Sequence, residues 1–293
     1  MTAVPESLPL SHRSISWRVN AEPFVFLGGG RALLLQVAHP KVAAGVEQHS
    51  TYVSDPWGRL FRTVDVMAKL TFGAPAVSQA QADLLARMHR RVVGTTDDGE
   101  PYGALNADLL RWVWATLCDT ALVVYERVRP PLSPAQRAQY YDEWKLVAEA
   151  CGVPIETCPA TWRDFESYVA DVVHDELRVS PAARAVAHAT MAPPLPWPLG
   201  PAAARTQRLV TYGLLPGEVR DAYGFRWSAA REHRLKQFFG ALGTAGGVVP
   251  RRVREMGMRY VVQRPEPLEL RRLRVIGARL TARRMAEFDA RAG

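Results

Sequence analysis

The sequence has no apolar run approaching the roughly 20 residues that would cross a bilayer. Its first residues, MTAVPESLPLSHRS, also lack the charged region and the apolar region of a secretory signal peptide. Cysteine is scarce: Cys118, Cys151 and Cys158 are odd in number and lack the spacing of a zinc site. We therefore expect a cytoplasmic protein with reduced thiols and no transmembrane segment.

Common catalytic motifs are missing as well. The sequence contains no GxSxG nucleophile elbow, no P-loop with lysine and no HExxH zinc motif. The triple glycine at 28–30 stands in LGGGRALLL, which follows a helical pattern and has no strand–helix–strand context. A dinucleotide-binding fingerprint needs that context, so we exclude this class of site.

The net charge of +8 is unevenly distributed along the chain. Residues 251–293 contain 12 arginines and five acidic residues, so the preceding 250 residues carry a net charge of only +1. We interpret the C-terminal segment as a solvated basic helix, and its alternative is a docking face for an acidic partner or membrane. We expect no nucleic-acid partner.

Apolar periodicity and helix-capping residues predict an all-α protein. We expect helices to begin at or after six capping residues: Asp55, Ser78, Asn106, Ser133, Thr161 and Ser180. The Ser78 helix is predicted to end at Gly94, and the turn-rich segment 95–103 to be a loop without a β-hairpin. The proline-rich segment 192–201 is predicted to lie extended, and a last helix to cover about 268–290.

The densest apolar stretch runs from Phe24 to Gly73 and includes the triple glycine, two histidines and three arginines. We predict that this stretch forms the floor of a buried pocket, and that its glycines give a turn or a close backbone approach. An unpaired buried polar group costs about 1–3 kcal/mol, so these polar side chains need partners from the protein or from a cofactor.

One set of polar side chains in this stretch shares a helix face. Arg59, Arg62 and Thr63 stand at positions i, i+3 and i+4 of the predicted helix. Two guanidinium groups beside an apolar cavity could bind the carboxylates of a ligand, because their donors match two oxygens at once. The alternative, which spacing alone favours, is that the arginines pair with acids on neighbouring helices.

His89 lies on the apolar side of the next predicted helix, four residues after Leu85. A histidine in this position is either a hydrogen-bonded core residue or a ligand, and facing arginines would suit a b-type haem. His39 and His49 form a second possibility. With Asp55 or Glu47 they could make a non-haem metal site, although their spacing is too loose to be diagnostic.

Four segments together resemble one known family. They are LGGGRALLLQVAHPKVAAGVEQHS, DPWGRLFRTVDVMAKLTFG, MHRRVVG and LLRWVWATL, in this order. The chain is similar, over about 16–242, to the domain-of-unknown-function family 2236, which includes rubber oxygenases (latex-clearing proteins) and mpaB-type oxygenases. This resemblance implies an all-helical, globin-like core that holds haem b. It also implies cleavage of carbon–carbon double bonds of isoprenoids by molecular oxygen.

The resemblance also implies roles for particular residues. Arg59, Arg62 and Thr63 match an Arg-x-x-Lys-Thr motif near the haem, with arginine in place of lysine. His89 matches the axial histidine. Arg62 departs from the pattern, because a guanidinium stays protonated and cannot coordinate iron as lysine can. Trp114 is a second departure, since relatives are expected to have histidine there.

These observations lead to one set of predictions. We expect a single large all-α domain at 16–245 with a globin-like haem-binding core, an N-terminal extension at 1–15, and a basic helical segment at 246–293. The predicted function is a haem-b oxygenase acting on an apolar, isoprenoid-like alkene and molecular oxygen. His89 would bind iron, Arg59 with Thr63 would lie on the distal side, and Arg31 or Arg62 would contact the propionates. The predicted catalytic residues are Arg59, Arg62 and Thr63, and both arginines also belong to the predicted cofactor-binding set. The alternative is a haem-free helical protein that binds a hydrophobic ligand.

Overall fold

A computed structural model describes residues 4–49, 56–191 and 199–264 of the chain. Helices account for nearly all of its regular structure, which confirms the predicted all-α domain. The described helices are α1 (Ile15–Asn20), α2 (Gly29–Ala38), α3 (Pro40–His49), α4 (Pro56–Phe72), α5 (Pro75–His89), α6 (Ala107–Val128), α7 (Pro134–Ala150), α8 (Trp162–Asp171), α9 (Pro181–Thr190), α10 (Leu199–Leu214), α11 (Gly217–Ala222), α12 (Ala229–Val248), α13 (Arg251–Arg254) and α14 (Met256–Gln263). None of them is long and apolar enough to cross a membrane.

Shorter elements connect these helices. A 3-10 helix spans Pro23–Gly28, another spans Ile155–Thr157, and a π-helical turn at Val172–Glu176 extends α8. Three predicted features lie outside the described residues: the cap Asp55, the proline-rich segment up to 198 and the last helix. The end of the proline-rich segment, 199–201, is the first turn of α10, so the prediction of extended chain was wrong there.

Polar caps fix the beginnings of several helices, as predicted. The Asn106 side chain accepts hydrogen bonds from the backbone N–H groups of Asp108 and Leu109 at 2.9 and 3.1 Å. Ser133 and Thr161 each form a reciprocal capping box with the third residue of their helices. These bonds satisfy backbone donors that a helix leaves unpaired at its N-terminus.

The prediction for α5 was wrong at both ends. The helix begins at Pro75, and Ser78 is no cap, because its buried hydroxyl donates to the Leu70 carbonyl at 2.5 Å. The helix ends at His89 instead of Gly94, since the following residues form a strand. This shorter helix places His89 in the last turn.

The segment predicted to be a loop contains a β-hairpin. Strand β1 (Val93–Thr95) pairs antiparallel with β2 (Pro101–Gly103). Gly99 has a positive φ of 82°, which favours glycine and allows the tight reversal between the strands. The strands are only three residues long, too short for the alternation of apolar and polar residues to reveal them.

Helix α2 lies at the centre of the domain and is buried along nearly its whole length. The glycines before and within it allow this burial. A Cβ at Gly28 would stand 2.6 Å from the Thr120 Cγ2 atom, and one at Gly29 would stand 2.8 Å from Leu60. The predicted close approach at the triple glycine is therefore confirmed, and it brings α2 against both α4 and α6.

Candidate functional site

An apolar cavity of about 150 Å³ lies between α2, α4 and α6. Residues of α1, α7, α14 and the first 3-10 helix complete its wall. The stretch predicted to form a pocket floor contributes most of the lining, from Val25 to Gln36 on one side and from Leu60 to Phe72 on the other. The prediction of a pocket in this stretch is confirmed.

Several polar groups in the cavity wall have protein partners. The Gln36 amide donates to the Thr116 hydroxyl at 2.9 Å, and the Asn20 amide donates to the Ser16 carbonyl at 2.9 Å. Thr63 differs, because it lines the cavity and is also exposed to solvent. Its hydroxyl is therefore a polar group at the rim that a bound molecule can reach.

The three residues of α4 that were predicted to act together differ in their surroundings. Thr63 faces the cavity, Arg59 is half-buried one turn before it, and Arg62 is exposed. Both arginines interact with neighbouring groups. Thr63 is therefore the residue of this motif that lines the cavity, and Arg59 is the less exposed of the two arginines.

His89 lies near Arg59 because α4 and α5 pack against each other. Burial lowers the pKa of the His89 imidazole, and the positive charge of Arg59 lowers it further. The Nδ1 atom is buried and has no hydrogen-bond partner among the described residues. The lowered pKa favours the neutral imidazole, the form that binds metals. It does not itself line the cavity.

Arg31, in contrast to His89, has protein partners for its side-chain nitrogens. Its Nε donates to the Leu214 carbonyl at 2.7 Å, its Nη1 to the Thr120 hydroxyl at 2.6 Å, and its Nη2 lies 2.7 Å from the Asp119 carboxylate. The side chain is buried between α2, α6 and α10. A role for Arg31 in binding a propionate stays a prediction, and it would require these contacts to be broken.

The other two histidines considered as metal ligands, His39 and His49, each contact a different part of the protein. The His39 Nε2 lies 3.5 Å from the Glu176 carboxylate, and its Nδ1, like that of His89, is buried without a hydrogen-bond partner among the described residues. Burial lowers the pKa of His39, and Glu176 opposes this. The His49 Nε2 lies 3.0 Å from the Val93 carbonyl. Asp55, a proposed co-ligand, lies outside the described residues, and within these no cluster of three or more His, Cys, Asp or Glu could hold a metal ion.

A model of the family described as "ER-bound oxygenase mpaB/B'/Rubber oxygenase, catalytic domain" matches residues 17–245. This match covers well over half of the chain. The chain belongs to this family. The resemblance that the four sequence segments indicated is therefore confirmed. No curated protein sequence matches the chain significantly.

A solved structure of latex clearing protein in the closed state has the same fold as this member of the rubber-oxygenase family. The two chains are 19% identical, with a TM-score of 0.54, and the similarity covers 81% of this chain and 70% of the other. At this identity the similarity establishes the fold alone, in agreement with the family match.

Trp114, the second departure from the family's pattern, is a packing residue here. It is 2% exposed, and its indole N–H donates to the Trp144 carbonyl at 2.9 Å. Its ring packs edge-on against Phe165 at 5.7 Å between centroids. Trp114 does not line the cavity. Trp114 therefore contributes to the packing of the core and not to the wall of the cavity.

One part of the site, which was not predicted from the sequence, comes from outside the family-matched region. Met258 of α14 lines the cavity although the family match ends at residue 245. The apolar spacing of Met258, Val261 and Val262 predicts one buried helix face, but nothing in the sequence shows which face it meets. Phe26 lines the same cavity and is 40% exposed, which places it at the edge.

Proposed function

We propose that this protein is a haem-b-dependent oxygenase acting on an apolar, isoprenoid-like alkene. The observation that supports this proposal most is the position of the half-buried His89 beside Arg59, with a buried Nδ1 atom that has no hydrogen-bond partner among the described residues. Membership of an oxygenase family supports the reaction class. An apolar cavity one helical turn from Arg59 supports the substrate class.

The donor set of this region fits a haem. A single neutral histidine suffices as the protein ligand of haem iron, and arginines suit the propionates. His89 would be the ligand, and Arg59 or the exposed Arg62 would contact propionates. When bound, haem supplies the activation of molecular oxygen. Arg62 would not bind iron, because its guanidinium stays protonated.

The cavity suits the substrate better than the cofactor. Its volume of about 150 Å³ is well below the ~300–1,000 Å³ of pockets that enclose drug-sized ligands. Leu33, Leu60 and Met67 would bind an alkene group and exclude water from it. The Thr63 hydroxyl at the rim would donate a hydrogen bond to an oxygen atom that approaches from the side of Arg59.

The reaction we propose is oxidative cleavage, in which one carbon–carbon double bond and one O₂ molecule give two carbonyl groups. Both oxygen atoms enter the products, so no external reductant is needed. The test is to incubate the haem-loaded full chain with an acyclic isoprenoid alkene under ¹⁸O₂. We expect two labelled carbonyl products and a lower rate for Thr63→Val. An alcohol product would indicate hydroxylation instead, and no O₂ consumption with any alkene would refute the oxygenase proposal.

A haem-free protein that binds a hydrophobic ligand is the second candidate. It is favoured by one observation, that His89 does not line the cavity. In this case the purified protein would bind apolar molecules but would take up no haem when haem is supplied. Haem content, measured by absorption, separates the two candidates.

A further inference from the structure

Helices α13 and α14 cover one side of the cavity. Helix α14 packs against α4, and Met258 joins Trp17, Ala21 and Ala68 in a small apolar cluster separate from the main core. Met258 is 5% exposed and forms part of the cavity wall. These helices lie beyond the residues that the family match covers. They are therefore an addition to the family-matched part of the chain, and through Met258 they contribute to the cavity wall.

A buried ionic contact holds this addition in place. The Arg254 guanidinium of α13 donates to both carboxylate oxygens of Glu22, from Nε at 2.9 Å and from Nη2 at 2.9 Å. The Arg129 Nη2 lies 3.4 Å from the same carboxylate. The Glu22 side chain is 8% exposed. A two-point contact of this kind fixes orientation as well as distance.

Glu22 connects the addition to the opposite wall of the cavity. It precedes the 3-10 helix Pro23–Gly28, whose residues Val25, Phe26 and Gly28 line the cavity. The Glu22–Arg254 contact thus sets the position of Met258 relative to this wall. We call α13 and α14, with this contact, the cap.

The cavity beneath the cap is small enough for its walls to select a ligand by size. In another protein, an engineered apolar cavity of about 150 Å³ binds benzene. A group of about six carbon atoms is therefore the size that this cavity accepts. Met258 is unbranched and flexible, and shortening it would extend the cavity toward α14.

We propose that the cap sets the size of the apolar group that enters the cavity, with Met258 as the specificity-determining residue and Glu22–Arg254 as its anchor. The ligand class is a compact hydrocarbon group of about six carbons. The proposal rests on the proposed function only in treating the cavity as the substrate site. It requires neither haem nor oxygen.

The experiment measures binding of benzene and naphthalene to the full chain by calorimetry, without substrate turnover. Wild type is expected to bind benzene and to bind naphthalene at least about tenfold more weakly. Met258→Ala should remove most of this difference by strengthening naphthalene binding, and Met258→Trp should abolish benzene binding. Met256→Ala is the matched control, because Met256 is in the same helix but 61% exposed. It should bind both probes as wild type does.

The anchor is tested in the same assay. Glu22→Gln should reduce the discrimination between the two probes with Met258 intact, whereas Arg252→Gln, at an exposed residue of α13, should not. Circular dichroism establishes that each variant is folded, and Met258→Val replaces Met258→Ala if the latter is not. The proposal is overturned if folded Met258 variants keep the wild-type discrimination, or if wild type binds neither probe. Loss of oxygenase activity alone would leave this result unchanged.

Discussion

Arg31 is a buried and His89 a half-buried ionisable side chain, and their surroundings differ. Arg31 is charged and has an acceptor for three of its nitrogens, from Leu214, Thr120 and Asp119. Burial and the positive charge of Arg59 lower the pKa of His89, and its Nδ1 atom has no partner among the described residues.

The difference indicates which residue serves the fold and which is available to a ligand. A buried charge with all its partners is stable and specifies one arrangement of its helices. A buried imidazole nitrogen without a partner costs free energy, and such costs often occur at binding sites. We therefore assign Arg31 to the fold, and the surroundings of His89 are consistent with its proposed role as the cofactor ligand.

Removing Arg31 is expected to have the largest effect on stability. Arg31→Met would leave Asp119 without its ion-pair partner and the Leu214 carbonyl without a donor. We expect the free energy of unfolding to fall by about 3–5 kcal/mol. Denaturant titration measures this loss, with the exposed Arg205→Met as control, expected within about 0.5 kcal/mol of wild type. Equal stability of the two variants would contradict the role given to Arg31.

The cap anchor should have a smaller effect on stability. Glu22→Gln replaces a charged acceptor of two arginines, and we expect a loss of about 1.5–3 kcal/mol. The destabilisation should be local, so that the amide hydrogen exchange rate rises in residues 251–263 and changes little in α2. Exchange that rises equally in both regions would show that Glu22 supports the whole domain and not the cap.

The close packing between Gly28 and Thr120, which accepts a hydrogen bond from Arg31, can be tested by adding a methyl group at Gly28. A Cβ at this position would meet Thr120 at 2.6 Å and Val124 at 2.8 Å, so Gly28→Ala should cost about 1–3 kcal/mol. Gly240→Ala is the control. A Cβ there meets no described atom within 4 Å, and alanine in the helix α12 should stabilise by about 0.5–1 kcal/mol. Melting temperatures that shift in opposite directions are the expected result.

The smallest effect concerns pH. Burial, with a further contribution from Arg59, lowers the pKa of His89 in the folded state, so the unfolded chain binds more protons below its ordinary pKa of about 6.5. Stability should therefore fall as pH drops from 7 to 5. His89→Gln should reduce this fall, and adding His39→Gln should reduce it further, because burial lowers the pKa of His39 too. Unfolding at both pH values tests this, and a steeper fall in the variants would contradict it.

Local signals in the sequence predicted most of the fold. Asn106, Ser133 and Thr161 begin helices because their side chains satisfy backbone donors within three residues, which is a local effect. The Ser78 prediction was wrong because a distant acceptor, the Leu70 carbonyl at the end of the preceding helix, takes its hydroxyl. The short β1–β2 hairpin escaped detection because three residues carry too little pattern.

The site was less accessible to prediction than the fold. Helical spacing placed Arg59 and Thr63 on one face, and Thr63 does line the cavity. It could not show that Arg31 forms an ion pair with Asp119, because these residues are far apart in the sequence. It also could not show that Met258 completes the wall. Contacts of this kind depend on how helices pack, which the sequence pattern of one helix does not determine.

The central claim, that His89 holds the cofactor, is tested most directly by absorption spectroscopy. The full chain is expressed with a supply of haem, as wild type and as His89→Ala, His39→Ala and His49→Ala. If His89 is the haem ligand, we expect a Soret band in wild type that collapses in His89→Ala and persists in the other two variants. Full haem retention in His89→Ala, or a collapse only when His39 or His49 is replaced, would contradict it.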